Sequence, residues 1–142
     1  MNGLVLHRSA KEATRDDLRA LPIPVALGPI HQPTPHIEFV ERIERSLDAK
    51  GFLIEREQFG VDREGLRLFG VLGIVSAAEI EKRREVEARL MDPVPASGDE
   101  YRRDPSMGWA LGLRTSNDCS LAHGLLAGRR VFVCDNMAFS GD

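Results

Sequence analysis

Apolar positions in this 142-residue chain change their period along its length, and each change marks an element. Between 35 and 50 they recur at helical spacing. Ile37, Val40, Ile43 and Leu47 share one face, with Phe39 beside it. Thr34 is placed to cap this helix. Pro35 fills its first position, where a missing N–H costs nothing, and Gly51 ends it. Glu38–Arg42 and Glu41–Arg45 are spaced as i,i+4 ion pairs on the wet side. From Phe52 the period shortens. Phe52–Phe59 reads as a strand that keeps Glu55, Glu57 and Gln58 for water. Asp62 to Gly65 reads as its turn, and Leu66–Val75 as a partner strand that is apolar on both faces from Phe69 onward. Gly60, Gly70 and Gly73 predict a bulge or a close backbone approach.

The flanks are less regular. Thr14-Arg15-Asp16-Asp17 predicts a brief helix with acids in its first turn, stopped by Pro22 and Pro24. Five prolines between 22 and 35 predict an extended arm or a linker. Ser76-Ala77-Ala78-Glu79 is a capping box opening a helix that runs to about Leu90 or Met91. Only Ile80, Val86 and Leu90 offer it an apolar side, so it reads as solvated and peripheral. Asp92 to Met107 reads as a mobile loop. Trp109–Arg114 and Arg130–Cys134 read as strands, with a turn or short helix over Leu121–Leu126. These elements predict one α+β domain over 1–142, an antiparallel sheet of about four strands packed on the amphipathic helix, with the charged helix peripheral. Residues 10–76 and 108–142 supply its core, and 77–107 the charged helix and loop.

Composition narrows the functional classes. With 42% hydrophobic and 29% charged residues the chain has the balance of a globular domain, and its net charge of −3 argues against a general polyanion binder. Residues 101–142 differ, carrying five Arg against four Asp and no Glu, which supports a local anion site at most. The longest apolar run, Leu68 to Ala78, is eleven residues and too short to span a bilayer. No export signal is visible, so a cytoplasmic location is expected. Two cysteines fifteen positions apart make neither a disulfide framework nor a zinc knuckle.

Candidate chemistry gathers in the last thirty-one residues, around the apolar strand Val131-Phe132-Val133-Cys134. Arg114, Ser116, Asn117 and Asp118 follow a strand and could position an anion, though Ser, Asn and Asp in a row also make turns for structural reasons alone. Asp135 and Asn136 end a strand, where they could orient a substrate or close a turn, and are a poor metal set. Arg129 and Arg130 could blunt a strand edge. With Trp109, Phe132 and Phe139 they could instead give single-stranded nucleic acid a cationic stacking surface. Cys119 and His123 are four apart but lack a partner set, with His7, His31 and His36 far off in sequence. No phosphate loop, nucleophile elbow or HExxH is present. The residues therefore assign no catalytic group, metal or cofactor.

Several strings resemble the family called domain of unknown function 932, or phage/plasmid-like protein. They are Thr14 to Leu18, His31-Gln32-Pro33 through His36, Asp62 to Gly65 with Leu68 to Leu72, Gly112-Leu113-Arg114, and Gly128 to Asp142 with its CDNMAFSGD ending. The resemblance covers most of residues 10–142, interrupted at 77–107. The family follows Gly-Leu-Arg with Asn-Ser-His-Asp, where this chain has Thr115-Ser116-Asn117-Asp118, so only Ser116 and Asp118 match. Its members usually continue into a helical C-terminal region, and this chain is accordingly expected to be truncated. The resemblance implies a gene carried on, or derived from, mobile elements, and no reaction, substrate or cofactor. The expected function is non-enzymatic contact with single-stranded DNA. Two rivals stand beside it: a small-molecule site or enzyme joining Arg114, Asp118, Asp135 and Asn136 at the sheet rim, and an inactive remnant whose exposed last strand self-associates.

Overall fold

The computed structural model of the protein describes residues 3–7, 9–90, 108–129, 131–135 and 139–141. In chain order the elements are β1 (Gly3–Val5), β2 (Lys11–Ala13), α1 (Arg15–Ala20), α2 (His36–Ala49), β3 (Phe52–Asp62), β4 (Arg67–Ser76), α3 (Ala77–Leu90), β5 (Trp109–Ser116), β6 (Gly124–Gly128), β7 (Val131–Cys134) and β8 (Phe139–Gly141). The fold is α+β. Five strands form one antiparallel sheet in the order β2-β3-β4-β5-β6, and three form a second in the order β1-β7-β8.

The helix and hairpin follow their local signals. Thr14 and Asp17 close a capping box on α1. The prolines after Leu21 then carry the chain through irregular backbone to α2. Pro35 sits at the N-cap of α2 rather than its first helical position, and no side chain caps that end, so Thr34 does not take the expected role. Gly51, at φ 78, provides the left-handed turn that α2 needs before β3. Glu38 pairs with Arg42 as spaced, whereas Glu41 lies 3.6 Å from Arg19 of α1. The hairpin pairs Phe52 with Ser76 through Asp62 with Arg67, and its register shifts between Ile54 and Arg56, which faces Gly73. The expected close approach occurs at Gly60 and Gly70, where a Cβ would lie 2.5 Å from Leu6 Cδ2 and 2.8 Å from Phe59 Cδ1. Ser76 accepts from the Glu79 N–H, starting α3. Val86 of α3 is half exposed.

Two cores lie on opposite faces of the five-stranded sheet. On one, Phe39, Val40 and Ile43 of α2 meet Phe59, Leu68, Leu72 and Leu113, with Leu18 of α1 beside them. On the other, Val131 and Val133 of β7 meet Phe69, Val71 and Ala110, with Leu4 and Phe139 against them.

Three expectations are corrected. The main sheet has five strands, because Gly124–Gly128 extends and pairs with β5 where a turn or short helix was expected. Val131–Cys134 does not join the hairpin's sheet. It crosses the face of that sheet as a second layer, and Gly112 permits the approach, since a Cβ there would lie 2.7 Å from Val131 Cγ1 and 2.8 Å from Val133 Cγ2. Nor is this strand an exposed edge. Residues 3–5 pair with it in parallel on one side and 139–141 antiparallel on the other, so the expected self-association through it loses its premise. The expected loop at 92–107 lies outside the described residues.

Candidate functional site

The residues singled out after β5 form a braced loop. Ser116 Oγ accepts from the Leu121 N–H at 2.8 Å and donates to the Leu121 carbonyl at 3.0 Å, closing residues 117–120 into a turn. The Asn117 N–H donates to the Leu66 carbonyl at 2.8 Å, fastening this turn to the hairpin. Asp118 accepts from the N–H and hydroxyl of Ser120 and meets Arg63 at 3.3 Å. Burial alone would raise its carboxyl, but the bonds from Ser120, Ser116 and Arg63 outweigh it and hold the pKa at about 2. Cys119 takes φ 61, and His123 bonds Thr115 at 2.6 Å while stacking on Phe39, so these two share no helical face.

Asp135 takes different partners. It accepts from the backbone N–H of His7 at 3.0 Å and from His7 Nδ1 at 2.6 Å. Its carboxyl is pushed up by burial, yet the His7 hydrogen bonds prevail and its pKa is lowered. Cys134 Sγ lies 3.4 Å from the same Nδ1 and 3.7 Å from Asp135 Oδ1. The thiol and carboxylate are buried and the imidazole is half exposed. Position 7 entered the cluster unseen, because nothing in sequence joins it to residues 134 and 135. The β1–β7 ladder does: Val5 pairs with Cys134, the last residue of β7, so His7, two residues past β1, comes beside Cys134 and Asp135. Among the described residues, no hydrogen bond or ion pair joins Arg114, Asp118 and Asp135 into one rim, and Asn136 lies outside them.

The cations instead find aromatic faces. The Arg114 guanidinium sits 4.7 Å from the Phe139 ring centroid, and that of Arg129 5.7 Å from the Trp109 ring, both within cation–π range. Arg114 pairs across with Phe69 and Trp109 with Ile74, which places the two on opposite faces of β5. They nonetheless flank the same edge strand. Arg114 is opposite Gly124 at one end of β6, and Arg129 follows Gly128 at the other. Trp109 and Phe132 are exposed. Arg130 lies outside the described residues.

An open apolar groove of about 390 Å³ runs between the proline arm, the start of α2 and the hairpin turn, lined by Leu21, Val25, His36, Leu66 and Asn117 among others. His36 is buried there, its Nε2 bonded to the Gly65 carbonyl at 2.7 Å and its Nδ1 without a partner. Burial lowers its pKa, which keeps the ring neutral. Among the described residues, no helix is long and apolar enough to cross a membrane. Comparison with protein-family models, curated proteins and solved structures finds no match.

Proposed function

We propose that the chain belongs to the mobile-element-associated family it resembles and acts as a non-enzymatic contact for single-stranded DNA at the β6 edge of its larger sheet. The observation that carries this reading is the exposed Trp109 indole with the Arg129 guanidinium over it, beside the outermost strand. An indole face stacks on any base, and an arginine beside it adds attraction to phosphate, so this pairing suits binding without sequence preference. The second pair, Arg114 with Phe139, stands beyond the other end of β6, about 17 Å away at strand rise. A strand of nucleotides crossing the edge can meet both.

Trp109 is the single tryptophan, so its fluorescence reports the event directly. Titration with a single-stranded oligonucleotide at low ionic strength should quench it, and added salt should weaken binding steeply as counterion release is lost. Trp109→Ala should cost about 1–3 kcal/mol of binding, read by oligonucleotide anisotropy. Arg114→Ala and Arg129→Ala should each weaken binding and flatten its salt dependence. Fluorescence and anisotropy unchanged by the oligonucleotide at low salt would end the reading.

A further inference from the structure

We propose that His7, Cys134 and Asp135 form a binding site for a divalent metal ion of the zinc class. This inference is independent of the nucleic-acid reading. The donor atoms are His7 Nδ1, Cys134 Sγ and an Asp135 carboxylate oxygen, all within 4.8 Å of one another. Imidazole and thiolate favour zinc over calcium or magnesium, which take oxygen shells, and a carboxylate oxygen is also a zinc ligand.

The spacing supports this. With Zn–S near 2.3 Å and Zn–N and Zn–O near 2.0–2.1 Å, tetrahedral angles put ligand sulfur about 3.5 Å from ligand nitrogen or oxygen, and nitrogen about 3.3 Å from oxygen. The sulfur edges here, 3.4 and 3.7 Å, agree with that to within about 0.2 Å. The nitrogen–oxygen edge is shorter, at 2.6 Å, because a hydrogen bond spans it. A metal ion would take the place of that bridging proton, and the edge would open.

Another chemistry for the same trio fits less well. In a thiol–imidazole–carboxylate relay the two ring nitrogens face different neighbours, one the nucleophile and one the acid. Here thiol and carboxylate both meet Nδ1, so the three converge on a point rather than forming a line. Cys134 is also buried, 4% exposed, which suits a ligand better than a nucleophile. Charge agrees as well. Thiolate and carboxylate together neutralise a divalent cation, and a neutral assembly is the form a mostly buried cluster tolerates. Three protein donors leave a fourth position, and the half-exposed His7 marks the side from which water can fill it.

The test uses the full chain stripped with chelator and titrated with cobalt(II), a spectroscopic substitute for zinc. One equivalent should produce a thiolate-to-cobalt charge-transfer band, which zinc then displaces, with protons released because the thiol must ionise. Cys134→Ser and His7→Gln should abolish the band, and Cys119→Ser should keep it. Losing a group that merely supports a ligand costs about 10–100-fold in affinity, so Asp135→Asn should weaken zinc by more than that if its oxygen is a ligand. Circular dichroism of each apo form checks folding, and His7→Gln, at a half-exposed side chain, keeps the test open should the buried variants unfold. Absence of the band in the wild-type chain, its survival in Cys134→Ser or folded His7→Gln, or its loss in Cys119→Ser would overturn the proposal.

Discussion

The two faces of the five-stranded sheet are covered by different kinds of structure. On one lies α2, fourteen residues with its own hydrogen bonds and an apolar stripe, only two residues upstream of the strand it covers. On the other lie three strands of three or four residues each, drawn from positions 3–5, 131–134 and 139–141. The first cover is local and partly self-sufficient. The second has no stability apart from its pairing and its contact with Phe69 and Val71. Local elements announce themselves through periodicity, and assembled ones depend on closing a long loop.

Truncation of a large core residue on either face should show the largest effect. Leu113→Ala, at a fully buried side chain on the helical face, should cost about 2–5 kcal/mol in urea unfolding. Phe69→Ala on the other face should cost about 3–5 kcal/mol, so near-equal losses would mean that both covers unfold as one unit. Gly112→Ala separates the faces more sharply. Its new methyl strikes Val131 and Val133, and overpacking there should cost about 1–3 kcal/mol. Amide exchange should speed up in β7 and stay unchanged in α2; equal acceleration in both would erase the distinction.

A pH series separates the faces chemically. His36, on the helical side, has a folded pKa below its ordinary 6.5. The unfolded chain therefore takes up a proton that the folded ring refuses. The stability this group contributes is full above about 6.5 and falls as pH drops from there toward the folded pKa. Chemical denaturation at pH 7.5 and pH 5 should show that loss, and His36→Gln should remove it. Asp118 acts in the same direction at lower pH, losing its contribution between 3.8 and about 2. The smallest effect belongs to the surface of α2, where Arg42→Ala should change stability by no more than about 0.5 kcal/mol.

This contrast explains what the sequence made legible. Ile37, Val40, Ile43 and Leu47 repeat within one helix, and Asp62 to Gly65 mark a turn between strands that are neighbours in the chain, so α2 and the hairpin could be read directly. Val131 to Cys134 was equally clear as a strand, but its alternation does not say whether its partner lies beside it or beneath it. Only the bare Cα of Gly112, opposed to two valines, decides for the layer. Leu125 is half exposed and the strand is bracketed by Gly124 and Gly128, which left β6 without a strand pattern. Arg114 and Arg129 were legible as cations and their aromatic partners as candidates, but not their positions at the two ends of one strand. His7 had no local signal at all. Its neighbours are brought to it by the parallel β1–β7 pairing, and its bond to Asp135 spans 128 positions.

That parallel pairing also orders events during synthesis. Residues 3–5 are translated more than a hundred codons before their hydrogen-bonding partner in 131–134. β1 is therefore made long before it can dock, and until the second layer assembles the nascent chain presents Phe69 and Val71 bare.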